Sequence, residues 1–238
     1  MKRDAPINRN NQDIKIGNLI DAKLQTVFDP TTLDSVQYLR NYKTLDSLQN
    51  EVLTSIIKDP NSFKCKIILL NDSTQRLFSS TNGTLYISSG LLRNLESYKE
   101  LQALILHQFN HVLHLDISDF LIDKYGVETF NMAALALDLY NLNEIENDVQ
   151  YIEFNFMQER VADEACDSIM NILNYHDALP LAYLSLGLGG KLGNLNFFKM
   201  HYNYIGRVNE LLYKATNTSP LSTSDILSYH YFISNLPN

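Results

Sequence analysis

His107 and His111 stand four residues apart in the run Leu106-His107-Gln108-Phe109-Asn110-His111-Val112-Leu113. On an α-helix that spacing stacks both imidazoles on one face, where a single metal ion reaches both. The pair constrains the fold twice. It requires a helix over this run, and it requires another element to bring in a further ligand, because two imidazoles do not complete a metal site. A second helical segment, Met157-Gln158-Glu159-Arg160-Val161-Ala162-Asp163-Glu164-Ala165, offers Glu159.

With Glu159 the donor set is His-His-Glu, the set of catalytic zinc sites that keep a fourth position for water. Catalytic helices of this kind read HExxH, and the glutamate after the first histidine takes a proton from the metal-bound water. Gln108 occupies that position here. A carboxamide has nearly the shape of a carboxylate but does not accept that proton at neutral pH. The pattern is that of a chain equipped to hold zinc and without the base to use it. Asp163, one turn beyond Glu159, is placed to orient a ligand histidine as an outer carboxylate; the alternative is a helix N-terminal charge. His114 lies seven residues after His107 and reads as a partly solvated structural histidine.

The 238 residues, 45% of them hydrophobic, suffice for one core, so residues 1–238 are expected to form a single domain. A net charge of −8 argues against nucleic acid as a partner, since phosphate binding needs a basic surface. No apolar run approaches the roughly 18 residues of a membrane-spanning helix. Met132 to Leu142, interrupted by Asp138, reads as a buried core helix. The first 12 residues are polar and lack the apolar core of a signal peptide, and residues 1–17 read as a flexible arm. The expected setting is cytoplasmic, exported by a non-classical route, or that of a mature fragment. Cys65 and Cys166 are too few for a disulfide framework and read as reduced core residues. The glycines of Gly187 to Gly190 lack the Lys-Ser/Thr pair of a phosphate loop.

The expected fold class is mainly α with a small β-sheet. Leu33, Val36, Leu39, Leu45, Leu48, Val52 and Ile56 recur every three or four residues, giving one or two amphipathic helices before Pro60. Lys64 to Leu70 reads as a buried strand. Asn82-Gly83 is a two-residue hairpin signal between a strand near Leu77 and one at Thr84 to Ser88. Ser97 to Glu100 is a capping box that starts the metal helix at Tyr98. The helix carrying Glu159 begins near Asn155 and runs to Tyr175, and another covers Leu195 to Tyr213.

Three segments in this order resemble a zinc metallopeptidase family, the gluzincins that include HtpX, BepA and the CAAX prenyl proteases. That family shows NAFxxPGGxIxVxxGLL, then ELAxVLxHExxH, then ExxAD. The chain has Arg76-Leu77-Phe78, Asn82-Gly83-Thr84-Leu85-Tyr86-Ile87 and Gly90-Leu91-Leu92 for the first. Glu100 to His111 match the second, and Glu159, Ala162 and Asp163 the third. The resemblance covers residues 65 to 175 and implies a zincin-like fold of the soluble branch. It implies zinc on His107, His111 and Glu159, Asp163 behind a ligand, and a polypeptide substrate or protein partner. The strand of Thr84, Leu85, Tyr86, Ile87 and Ser88 would lend its edge to an extended chain.

The departures carry their own expectations. Thr81 replaces a proline, which implies a minor structural change. Many members also carry, near the C-terminus, a THP segment followed by an arginine; Thr218-Ser219-Pro220 and Asp225 are the nearest match, which would remove a histidine and an arginine near the substrate. Losses at several positions fit natural decay of catalysis, while a loss at Gln108 alone fits a deliberate Glu→Gln change. The protein is then an inactive metalloendopeptidase, or a pseudopeptidase that binds polypeptide without cutting it.

Overall fold

A computed structural model describes residues 11–27, 35–56, 66–189, 204–214 and 223–236. Two long helices come first, α1 (Asn11–Val27) and α2 (Ser35–Ile56), followed by strands β1 (Lys66–Leu70), β2 (Leu77–Ser79) and β3 (Thr84–Ser88). A short helix α3 (Ser89–Leu92) leads to α4 (Tyr98–Leu113), α5 (Asp116–Tyr125), α6 (Val127–Ala134), α7 (Leu139–Val149) and α8 (Phe156–Ile172). Helices α9 (Ala178–Gly189), α10 (Tyr204–Lys214) and α11 (Thr223–Ser234) complete the described chain. The architecture is mainly helical with one small mixed sheet. No described helix is long and apolar enough to cross a membrane.

Helix α4 is the axis of the fold. Its residues from Glu100 to Val112 are all buried, and it packs chiefly against α8 and α9, with α2, α5 and β2 on its other sides. Ser97 starts it by accepting a hydrogen bond from the Glu100 N–H at 3.2 Å. The Glu100 carboxylate reaches back past the cap residue to the N–H of Glu96, at 2.9 Å. The capping box is therefore half realised, with the glutamate satisfying a donor one residue earlier than the motif requires. Helix α8 has the complete version: Asn155 accepts from Met157 and Gln158, and Gln158 accepts from the Asn155 N–H.

The strand order is β1-β3-β2, with β1 parallel and β2 antiparallel to β3. This corrects the expected role of Thr84, Leu85, Tyr86, Ile87 and Ser88. Strand β3 is the centre of the sheet and buried throughout, so its backbone groups are taken up by neighbours on both sides and it has no edge to lend. The outer strand nearest α4 is β2, itself buried throughout. Ser88 donates to the Arg76 carbonyl and Ser80 to that of Thr84, so alternate residues Arg76, Phe78 and Ser80 face β3 while Leu77 and Ser79 turn their backbone groups outward.

The hairpin also differs from the two-residue form. Gly83 alone takes positive φ, 87°, and Asn82 is not among the positive-φ residues, whereas a type I′ turn needs both. The Gly83 N–H donates to Ser80 O and the Ser80 N–H to Thr84 O, a longer loop closed by a left-handed glycine.

Three further expectations change. Residues 11–17 are not a flexible arm: α1 begins at Asn11 and buries Asp13 and Ile16. Met132 to Leu142 is not one buried helix. Helix α6 ends at Ala134, Ala136 turns left-handed (φ 54°), and Leu135 and Leu137 are more than half exposed. Asp138 explains the break, because its carboxylate caps α7 by accepting from the Asn141 N–H at 3.0 Å. The strand starting at Lys64 is described from Lys66, and Cys65 lies outside the described residues, as do residues 195–203 of the last expected helix.

Candidate metal centre

His107 and His111 sit on successive turns of α4, and Glu159 enters from the first turn of α8. All three are fully buried. The two Nε2 atoms are 3.1 Å apart; Glu159 places Oε2 at 3.6 Å from Nε2 of His107 and Oε1 at 3.7 Å from that of His111. One ligand atom from each residue falls within 4.8 Å of the others. A metal ion about 2 Å from each donor fits that span.

The outer nitrogens are held by carboxylates. Asp163 Oδ1 is 3.0 Å from Nδ1 of His107, and Asp116 Oδ2 is 2.8 Å from Nδ1 of His111. A proton on each Nδ1 leaves Nε2 as the lone-pair donor toward the cluster. Burial lowers the His107 pKa to about 4 against the pull of Asp163 and Glu159, so the ring is neutral and able to ligate at pH 7. Phe154 stacks flat on His111 at 3.7 Å between centroids and fixes its plane. Asp116 reaches His111 because Leu115 adopts left-handed backbone (φ 62°, ψ 20°) and folds α5 back on the end of α4. For a non-glycine residue that conformation costs on the order of 1 kcal/mol.

Behind Asp163 lie two residues that sequence reasoning missed. Arg207, buried on α10, donates from Nε to Oδ2 and from Nη2 to Oδ1 of Asp163, each at 2.6 Å, and its Nη1 contacts Oε2 of Glu159. Tyr183 on α9 donates to Asp163 Oδ1 at 2.9 Å and accepts from Arg207 Nη2 at 2.7 Å. Burial pushes the Asp163 carboxyl upward, but the hydrogen bonds from His107 and Arg207 outweigh it and hold the group well below the usual carboxylate range. One guanidinium thus braces a candidate ligand and the carboxylate that orients another.

Arg207 had a signal in the sequence. The spacing from Ser219 to Asp225 is six residues, and His201 to Arg207 has the same spacing with the expected residue types at both ends. Asp225 instead pairs with Lys99, in the first turn of α4, at 3.4 Å. Residues 218–220 and His201 lie outside the described residues.

Gln108 donates from Nε2 to Ser79 Oγ on β2, at 2.9 Å, and its Oε1 is buried without a hydrogen-bond partner. His114 does not join the converging group of His107, His111 and Glu159; its Nδ1 donates to the carbonyl of Asn110 one turn back, at 2.9 Å. Cys166 packs under α4 with its thiol on the Ala103 carbonyl at 3.3 Å, and burial raises its pKa.

The donors suit a dication. Three carboxylates (Glu159, Asp163, Asp116) face one guanidinium beside the two imidazoles, so the carboxylates outnumber the fixed positive charge by two. Buried charge of that size calls for compensation, and a divalent ion supplies it. No protein-family model matches the chain, and no curated protein matches it.

Proposed function

We propose that the protein is a zinc-binding member of the metallopeptidase type outlined by its three motifs, and that it engages polypeptides without cleaving them. The observation that carries this reading is the buried convergence of His107, His111 and Glu159, each imidazole backed by its own carboxylate. Zinc held there would polarise a peptide carbonyl and acidify water. Asp163 and Asp116 keep the Nε2 lone pairs directed at the ion, and Arg207 holds Glu159 and Asp163 in register.

The missing part is the base. Gln108 accepts a hydrogen bond but not a proton, and that loss removes about 100- to 10,000-fold in rate. If Arg207, six residues after His201, answers to the arginine of that family, Gln108 is the more isolated departure. Casein turnover by this protein and by Gln108→Glu, each with and without chelator, tests the reading. The expected result is no turnover with Gln108 and chelator-sensitive turnover with glutamate. Chelator-sensitive cleavage by the Gln108 form would place the base elsewhere, and an inert, zinc-loaded Gln108→Glu protein would leave binding as the sole activity.

A further inference from the structure

We infer that this centre is a carboxylate receptor, in which zinc and the Gln108 carboxamide together select a free carboxylate, such as a peptide C-terminus, over a neutral amide. The inference rests on the zinc reading above and adds the class of ligand. Its starting point is the Gln108 side chain, which is 1% exposed. One end of the amide is fixed by Ser79 Oγ at 2.9 Å, and the other end has no hydrogen-bond partner. A buried polar atom without a partner is unfavourable, so a ligand that satisfies it is favoured.

The amide satisfies two kinds of ligand in turn. As placed, its free Oε1 accepts from a donor such as water. Turned over, Oε1 accepts from the Ser79 hydroxyl, which donates as readily as it accepts, and Nε2 is free to donate to an anion. A glutamate at this position offers only acceptors when ionised. Charge points the same way. Arg207 is engaged by Glu159 and Asp163, and a dication offsets the two carboxylates by which the three outnumber the one guanidinium. An anionic ligand then meets a neutral centre and an N–H donor, whereas a glutamate at position 108 would set a second negative charge against it.

The test uses the full chain, with its zinc content measured first, and calorimetric titration with three probes: acetate, an N-acetylated tripeptide acid and the same tripeptide as its C-terminal amide. The acid is expected to bind at least about tenfold tighter than the amide, and Gln108→Glu to erase that preference. A tenfold change is a modest share of the Coulomb repulsion between carboxylates about 4 Å apart in a protein site. Ser79→Ala, which frees the amide from its anchor, should reduce the preference while zinc content is kept, and it serves if Gln108→Glu fails to fold. A tripeptide acid tighter than acetate identifies a peptide C-terminus as the source, and equal binding identifies a small acid. Equal binding of acid and amide, or a preference unchanged in Gln108→Glu, overturns the inference alone. A protein without zinc overturns it together with the metal reading.

Discussion

Each imidazole of the centre depends on a carboxylate that is not itself a ligand. Asp116 is the cleaner of the two to change, because among the described residues its carboxylate bonds only His111 and, through Oδ1 at 3.3 Å, Gln158. Asp116→Asn is expected to weaken zinc binding by about 10- to 100-fold while the helical content holds, measured by competition with a chelating dye. A second residue-scale test lies at the start of α4. Burial raises the Glu100 carboxyl from its ordinary 4.5 to about 7, so between those values the folded state holds a proton that the unfolded state has released. Its contribution to stability is full below pH 4.5 and is lost as pH rises through 7. Glu100→Gln lacks that loss. Thermal melts at pH 5 and pH 8 should show the parent falling relative to the variant by on the order of 3 kcal/mol; parallel curves would contradict the assignment. The convergence of the two histidines was legible because a four-residue spacing has one helical meaning. Tyr183 and Phe154 were not, since a single aromatic residue has no spacing to read, and Asp116 depends on the left-handed turn at Leu115.

Helix α1 is the element that composition hid, and it clamps the hairpin beside the metal helix. Asp21 accepts from Tyr86 Oη, from Thr84 Oγ1 at 2.7 Å and from Asn82 Nδ2 at 2.9 Å. Thr81 donates to the Asp13 carbonyl at 2.7 Å, so the residue that departs from proline ties the loop to α1. Gly17 lets the helix approach: a Cβ there would lie 2.5 Å from both Cβ and N of Asn82. Gly17→Ala is therefore expected to push α1 off the hairpin and destabilise the fold by about 1–3 kcal/mol in denaturant melts, despite the better helix propensity of alanine. The polar, asparagine-rich first residues drew attention away from the apolar stripe that follows them, Ile16, Ile20 and Leu24, all buried in the core. Strand order escaped the sequence for another reason. A buried central strand and a half-buried edge differ in their partners more than in their letters.

Across the whole molecule, the centre draws its groups from five helices, α4, α5, α8, α9 and α10, spread over a hundred residues of chain. Such a site forms only in the folded protein, so a metal ion bound there would stabilise the fold by mass action, about 2.7 kcal/mol when the free ion stands at a hundred times its dissociation constant. The spacing of His107, His111, Glu159 and Asp163 was legible in the sequence; the contribution of α10 was not, because Arg207 is brought to Glu159 and Asp163 only by the packing of distant helices. The central claim, that His107, His111 and Glu159 form one zinc site, is tested most directly by elemental analysis of the purified protein and of a His107→Ala, His111→Ala double variant. The account predicts about one zinc per chain in the first and almost none in the second. A parent protein that takes up no zinc, or a double variant that keeps its full complement, would contradict it.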